Sequence, residues 1–155
     1  DDYYKRIEAI QFTMSHDDGK KVDDTNKADV ILLGVSRTSK TPTSIYLANR
    51  GYKTINIPLV LDQKIPEDLK TNKTSCIIGL IADPERLSDI RRNRVAIMKD
   101  HNLKEYTDLS FIKKEVEDSK NLFKRNNWPI IDVTRRSVEE TAASILKIIE
   151  IKKNK

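Results

Sequence analysis

Ala28-Asp29-Val30-Ile31-Leu32-Leu33-Gly34-Val35-Ser36-Arg37-Thr38-Ser39-Lys40-Thr41 decides how the chain folds. The stretch 28–33 is aliphatic without polar alternation, the pattern of a strand buried on both faces of a parallel sheet. It gives way at Gly34 to small and polar residues, and then to a helix expected from about Thr41 to Asn49. Gly51 suits the stop of that helix. Gly34–Thr41 nearly matches the G-x-x-x-x-G-K-[ST] phosphate loop and lies in the strand–loop–helix context that the motif requires. In such a loop, successive backbone N–H groups and the helix N-terminus cradle phosphate oxygens. The expected phosphate-binding set is therefore Gly34, Val35, Ser36, Arg37, Thr38, Ser39, Lys40 and Thr41. Lys40 would neutralise the terminal phosphates, and the Thr41 hydroxyl would ligate Mg²⁺. Ser39 stands where the motif has its second Gly and loses easy access to positive φ, which predicts a tighter or differently shaped loop. The competing reading is an ordinary Ser/Thr-rich turn.

Outward from this stretch, strand and helix patterns alternate. Residues 1–14 read as an amphipathic helix with Tyr3, Ile7, Ile10 and Met14 on one face. The polar, Gly-containing 15–27 reads as a loop. Tyr52–Ile57 and Cys76–Ala82 read as strands, with a loop and a short helix between them from Pro58 past Pro66. Asp83-Pro84-Glu85 opens a helix to about Lys99, with Asp as N-cap and Pro in the first turn. A further helix is expected over about Asp108–Lys124, with Leu109, Ile112, Val116 and Phe123 inward. Pro129–Val133 reads as a fourth strand. Ser137-Val138-Glu139-Glu140 is a capping box that opens a last helix on Val138, Ala142, Ile145 and Ile149. The expected fold class is α/β, a parallel sheet with helices on both faces of the P-loop kinase kind, formed by 1–155 as one domain. Ligands should then gather at the carboxyl ends of the strands.

Composition sets limits on function. The chain has 155 residues, 37% of them hydrophobic and 34% charged, with a net charge of +5. Its cations are interspersed with acids, and no basic run carries the aromatic interleaving of a nucleic-acid surface. No apolar run approaches the roughly 18 residues of a membrane span. No signal-peptide pattern is present, so the cytoplasm is the expected location. The single cysteine, Cys76, excludes an internal disulfide and reads as a core thiol. The absence of Met at Asp1 suggests a piece of a longer protein.

Three further groups could carry chemistry. In His16-Asp17-Asp18-Gly19, Asp17 or Asp18 could act as general base or Mg²⁺ ligand, or the segment could be only an Asx-type turn. Asp83 precedes Arg86, Arg91, Arg92 and Arg94. Arg91 and Arg94 fall on one helix face and could clamp a phosphate, or form a solvated basic face. Asp132, after the last strand, could be the acidic Mg²⁺ partner or a polar strand end.

The segments HDDG at 16–19, ADVILLGVSRTSKTPTSIYLANRGYKTINIPLV at 28–60, IGLIADPERLSDIRRNR at 78–94 and WPIIDVTRRSVEETAASIL at 128–146 resemble the bacterial pyruvate, phosphate dikinase regulatory proteins. The phosphoenolpyruvate synthase regulatory proteins share the pattern. The resemblance runs from about Tyr4 to Ile149 and implies the C-terminal catalytic part of such a protein. It implies a bifunctional enzyme that phosphorylates a threonine of its target dikinase with ADP as donor. It also implies removal of that phosphate by inorganic phosphate, with release of pyrophosphate. On this view the loop 34–41 holds the donor, Asp17 or Asp18 takes the hydroxyl proton, and Arg91 and Arg94 steady the phosphoryl oxygens. A small-molecule kinase of the same fold and a non-catalytic nucleotide-binding module are the other classes open. The oligomeric state is open too, a homodimer included.

Overall fold

The computed structural model describes residues 2–16, 25–59, 65, 68–98 and 108–153. Its elements are α1 (Asp2–Ser15), β1 (Val30–Gly34), α2 (Lys40–Asn49), β2 (Thr54–Pro58), α3 (Asp68–Thr71), β3 (Cys76–Ile81), α4 (Pro84–Met98), α5 (Leu109–Arg125), β4 (Ile130–Asp132) and α6 (Val138–Lys153), with a 3-10 turn at Thr25–Lys27. The four strands form one parallel sheet in the order β2-β1-β3-β4. The expected parallel α/β architecture is present, and β1 is a central strand.

β1 holds the centre because nothing in it resists burial. Val30, Ile31, Leu32 and Leu33 are all fully buried. Removing each such side chain from water contributes roughly 1.5–3 kcal/mol. Alternate residues serve opposite layers. Val30 and Leu32, with Ile78 and Leu80 of β3, join Leu47 of α2 and Ala142, Ile145 and Ile149 of α6. Ile31 and Leu33, with Ile55 and Ile77, join Leu69 of α3 and Phe123 of α5. A Cβ on Gly79 would lie 2.3 Å from the Phe123 ring, so this glycine sets how closely α5 approaches β3.

β1 begins two residues later than the aliphatic run suggests. Asp29 is engaged by the residue that precedes β2: its carboxylate accepts from the Lys53 N–H at 2.8 Å. The helix starts follow their caps. Asp83 accepts from the Arg86 N–H at 3.2 Å. Ser137 accepts from the Glu140 N–H at 3.1 Å while Glu140 accepts from the Ser137 N–H at 3.3 Å.

The apolar face expected for α1 is not its buried side, although Ile7 and Ile10 on it are half-buried. Tyr3 and Met14 are 58% and 63% exposed, whereas Ala9, Thr13 and His16 are buried and Phe12 packs on the second cluster. α1 lies along α2 and the start of β2. The Thr13 hydroxyl accepts the Thr54 N–H at 3.0 Å, so a polar contact joins the packing of Phe12 in fixing the helix.

Candidate functional site

Strand order selects one end of one crevice. From β1 the chain returns to β2 on one side, and from β3 it goes on to β4 on the other. The carboxyl ends of β1 and β3 therefore flank the topological switch point, where open α/β sheets leave a crevice for ligand. Two segments leave the sheet there, Gly34–Thr41 from β1 and Ala82–Pro84 from β3.

Gly34 lets the first segment curl back over the sheet. A Cβ there would lie 2.6 Å from Thr38 Oγ1 and 2.9 Å from the Leu80 carbonyl oxygen. Beyond it, Arg37 and Ser39 both take left-handed backbone, with φ of 74° and 61°. Ser39, at the motif's second Gly position, adopts the glycine-like conformation even though it carries a side chain. Two such residues cost on the order of 1–3 kcal/mol each and persist only where surroundings hold them. Some of the holding contacts are internal to the loop. The buried Thr38 hydroxyl donates to the Val35 carbonyl at 2.9 Å. The Lys40 ammonium, 5% exposed, donates to the same carbonyl at 2.8 Å and to Thr38 Oγ1 at 3.3 Å. α2 starts at Lys40, so the positive end of its dipole lies in the loop. Turns of this kind aim backbone N–H groups inward and form concavities for anions. With the ammonium of Lys40 inside it, the loop's donor set suits a phosphate.

Arg91 and Arg94 do not share an environment. Arg94 is exposed, while Arg91 is fully buried. Arg91 Nη1 pairs with Glu115 Oε1 of α5 at 2.7 Å, and Nη2 donates to the Ser36 carbonyl of the loop at 3.1 Å. The α4 helix therefore brings one guanidinium to the loop's main chain and leaves the other at the surface.

Asp132 lies at the end of the edge strand β4, two strands from β1 and so about 10 Å away across the sheet. Its Oδ1 accepts from the Thr134 N–H at 2.9 Å and from the Thr134 hydroxyl. That hydroxyl in turn accepts the Asp83 N–H at 2.8 Å. Asp83 follows β3, the immediate neighbour of β1. The two carboxylates share the walls of two hollows of about 570 and 530 Å³. The first is also lined by Thr134, Arg135, Arg136 and Glu140, and the charged residues of the second include Lys113, Lys114, Glu117 and Lys120. Among the described residues no group of three or more His, Cys, Asp or Glu is placed to hold a metal ion. A Mg²⁺ held by one or two protein oxygens and by substrate phosphates does not need such a group.

Asp17 and Asp18 lie outside the described residues. Their neighbour His16 is buried at the end of α1, stacked on the Phe12 ring with centroids 4.1 Å apart, and its Nδ1 is 2.7 Å from the Phe12 carbonyl oxygen. Two contributors escaped the sequence reading. Glu115 is a carboxylate among the inward residues Ile112 and Val116, a spacing that could have marked it as a buried charge in need of a partner. Asn56 interrupts an apolar strand; its amide donates to Ser44 Oγ at 3.2 Å, and Ser44 donates to the Thr41 carbonyl at 2.8 Å, which ties β2 to the first turn of α2.

The sequence profile of the kinase/pyrophosphorylase family matches residues 1–146. The chain belongs to this family. It is 64% identical over 155 residues to a protein of Pelagibacter ubique named "Putative pyruvate, phosphate dikinase regulatory protein", covering 99% of this chain and 57% of that one. Proteins of the same name from Bartonella bacilliformis and Caulobacter vibrioides are 55% and 49% identical over 148 residues each. Those matches cover 96% of this chain in both cases, and 53% and 47% of the relatives. The chain thus spans about half the length of the curated relatives it matches. Among the described residues no helix is long and apolar enough to cross a membrane.

Proposed function

We propose that the chain is the phosphoryl-transfer part of a bifunctional regulator of pyruvate, phosphate dikinase. In one direction it moves the β-phosphate of ADP to a threonine hydroxyl of the dikinase, breaking the α–β phosphoanhydride bond and releasing AMP. In the other, inorganic phosphate attacks the phosphothreonine, pyrophosphate forms, and the hydroxyl is regenerated. The observation that carries this reading is the strained loop at the β1/β3 crevice with the ammonium of Lys40 inside it. The relatives' names favour the dikinase over phosphoenolpyruvate synthase as target.

In this reading Gly34–Thr41 holds the donor phosphates through backbone N–H groups and Lys40. Because both directions place a phosphate beside the same phosphoryl group, one loop serves both. The Thr41 hydroxyl and a strand-end carboxylate, Asp83 or Asp132, would hold Mg²⁺, which would offset charge on the phosphates. Arg91 acts through the loop, and Arg94 meets the phosphoryl oxygens from the solvent side. Asp17 or Asp18 accepts the threonine proton as transfer proceeds.

The test is transfer of label. The chain is incubated with the dikinase and ADP labelled at the β-phosphate, and label is sought on the target's threonine. Label on a small acceptor instead would make this a small-molecule kinase. Nucleotide binding with no turnover would make it a binding module. Asp17→Asn and Asp18→Asn are each expected to retain ADP binding, with one of them losing transfer. If both transfer normally, the base lies elsewhere, with Asp83 and Asp132 the next candidates.

A further inference from the structure

We propose that Glu115 is a positioning residue for the phosphate loop and acts through Arg91. The inference rests on the function assigned to the loop above. Arg91 is fully buried, and a guanidinium taken out of water costs several kcal/mol unless its charge and its donors are matched. Glu115, 9% exposed, supplies the charge at 2.7 Å. The guanidinium is planar and rigid, so a carboxylate on Nη1 also dictates where Nη2 points. It points at the Ser36 carbonyl, 3.1 Å away.

That contact falls at a sensitive place in the loop. In a trans peptide the C=O and the next N–H point in opposite directions. Anchoring the Ser36 carbonyl on α4 therefore fixes the direction of the Arg37 N–H, a candidate phosphate donor. Arg37 is also one of the two left-handed residues, at φ 74°, and needs an external hold. Because Glu115 cancels the charge of Arg91, the pair braces the main chain without adding net charge, and Lys40 remains the buried cation of the loop. The line of force runs from α5, packed on β3 through Phe123, to α4 and into the loop. Residues 24 positions apart thereby set the geometry of a third segment.

A double substitution separates bracing from plain stability. Glu115→Gln strands a buried guanidinium and is expected to melt at lower temperature. Arg91→Met with Glu115→Leu removes both charges, and apolar replacement of a buried pair usually restores stability. The brace on Ser36 stays absent. The double variant is therefore expected to melt near the wild-type temperature while amide exchange across 34–41 remains faster and ADP binds about 10- to 100-fold more weakly. Return of both loop protection and ADP affinity along with stability would overturn the proposal. If the wild-type chain itself does not bind ADP, the phosphate-loop reading fails, and the exchange rates at 34–41 alone decide the brace. Should the double variant not fold, Glu115→Gln below its melting transition carries the comparison. Faster exchange confined to 34–41 supports the brace, and a change spread evenly over the sheet refutes it.

Discussion

Replacing Gly34 by alanine probes whether the loop must lie against the sheet to work. The new methyl would sit 2.6 Å from Thr38 Oγ1 and 2.9 Å from the Leu80 carbonyl oxygen. Ordinary van der Waals contact requires Thr38 to retreat by roughly 0.8 Å. Thr38 has little freedom to do so, because its hydroxyl both donates to Val35 and accepts from Lys40. Leu80 belongs to the paired strand β3 and is held by its ladder. The loop must therefore lift as a unit. Overpacking of this size costs about 1–3 kcal/mol, which for a chain of this length lowers the melting temperature by roughly 2–4 °C per kcal/mol. Displacing binding groups by about 1 Å costs on the order of 100-fold in productive binding. Thermal melting followed by circular dichroism and titration calorimetry with ADP measure the two effects on one sample. A variant that melts with the wild type and binds ADP equally would refute the packed-loop geometry. One that fails to fold at all would mean that Gly34 serves the sheet first and the loop second.

Three other outcomes are expected. Lys40→Met should abolish transfer in both directions while leaving the melting temperature within a few degrees. A charge-assisted contact to the reacting phosphate is worth on the order of 100-fold or more in rate, and the lost internal hydrogen bonds are offset by relief of a buried charge; near-normal turnover would make the loop purely structural. Asp83→Asn should raise the Mg²⁺ concentration needed for half-maximal transfer more than Asp132→Asn does, because β3 adjoins β1 and β4 does not. Asn caps helices as well as Asp, so stability should hold, and the reverse ranking of the two variants would move the metal to the edge strand. Cys76 is buried, and burial raises its thiol above the usual range against a smaller opposing pull from Lys152. The native chain should react with a thiol reagent at pH 8 far more slowly than the denatured chain, and immediate stoichiometric labelling would contradict the packing of β3.

Local chemistry determined a good deal of this protein. An unbroken aliphatic run has only one stable place in an α/β chain, so the central strand was legible in Val30–Leu33. The caps at Asp83 and Ser137 were legible because a capping side chain reaches only its own first turn. Gly34–Thr41 was legible as a loop between strand and helix for the same reason: its spacing is set within the segment. What escaped depends on partners far away in the chain. The inner face of α1 turned on Thr54, since aromatic residues on two sides left its periodicity ambiguous. That Ser39 takes a left-handed backbone follows from contacts that hold the loop, against its own preference. Strand order set Asp83 beside the crevice and Asp132 at the edge, and nothing in either residue's local sequence says which of their strands adjoins β1. Arg91 and Arg94 have the same local spacing as any exposed pair. Only the approach of α5, with Glu115 on its buried side, makes one of them part of the site, because a charge can be buried only where the fold delivers its counter-charge.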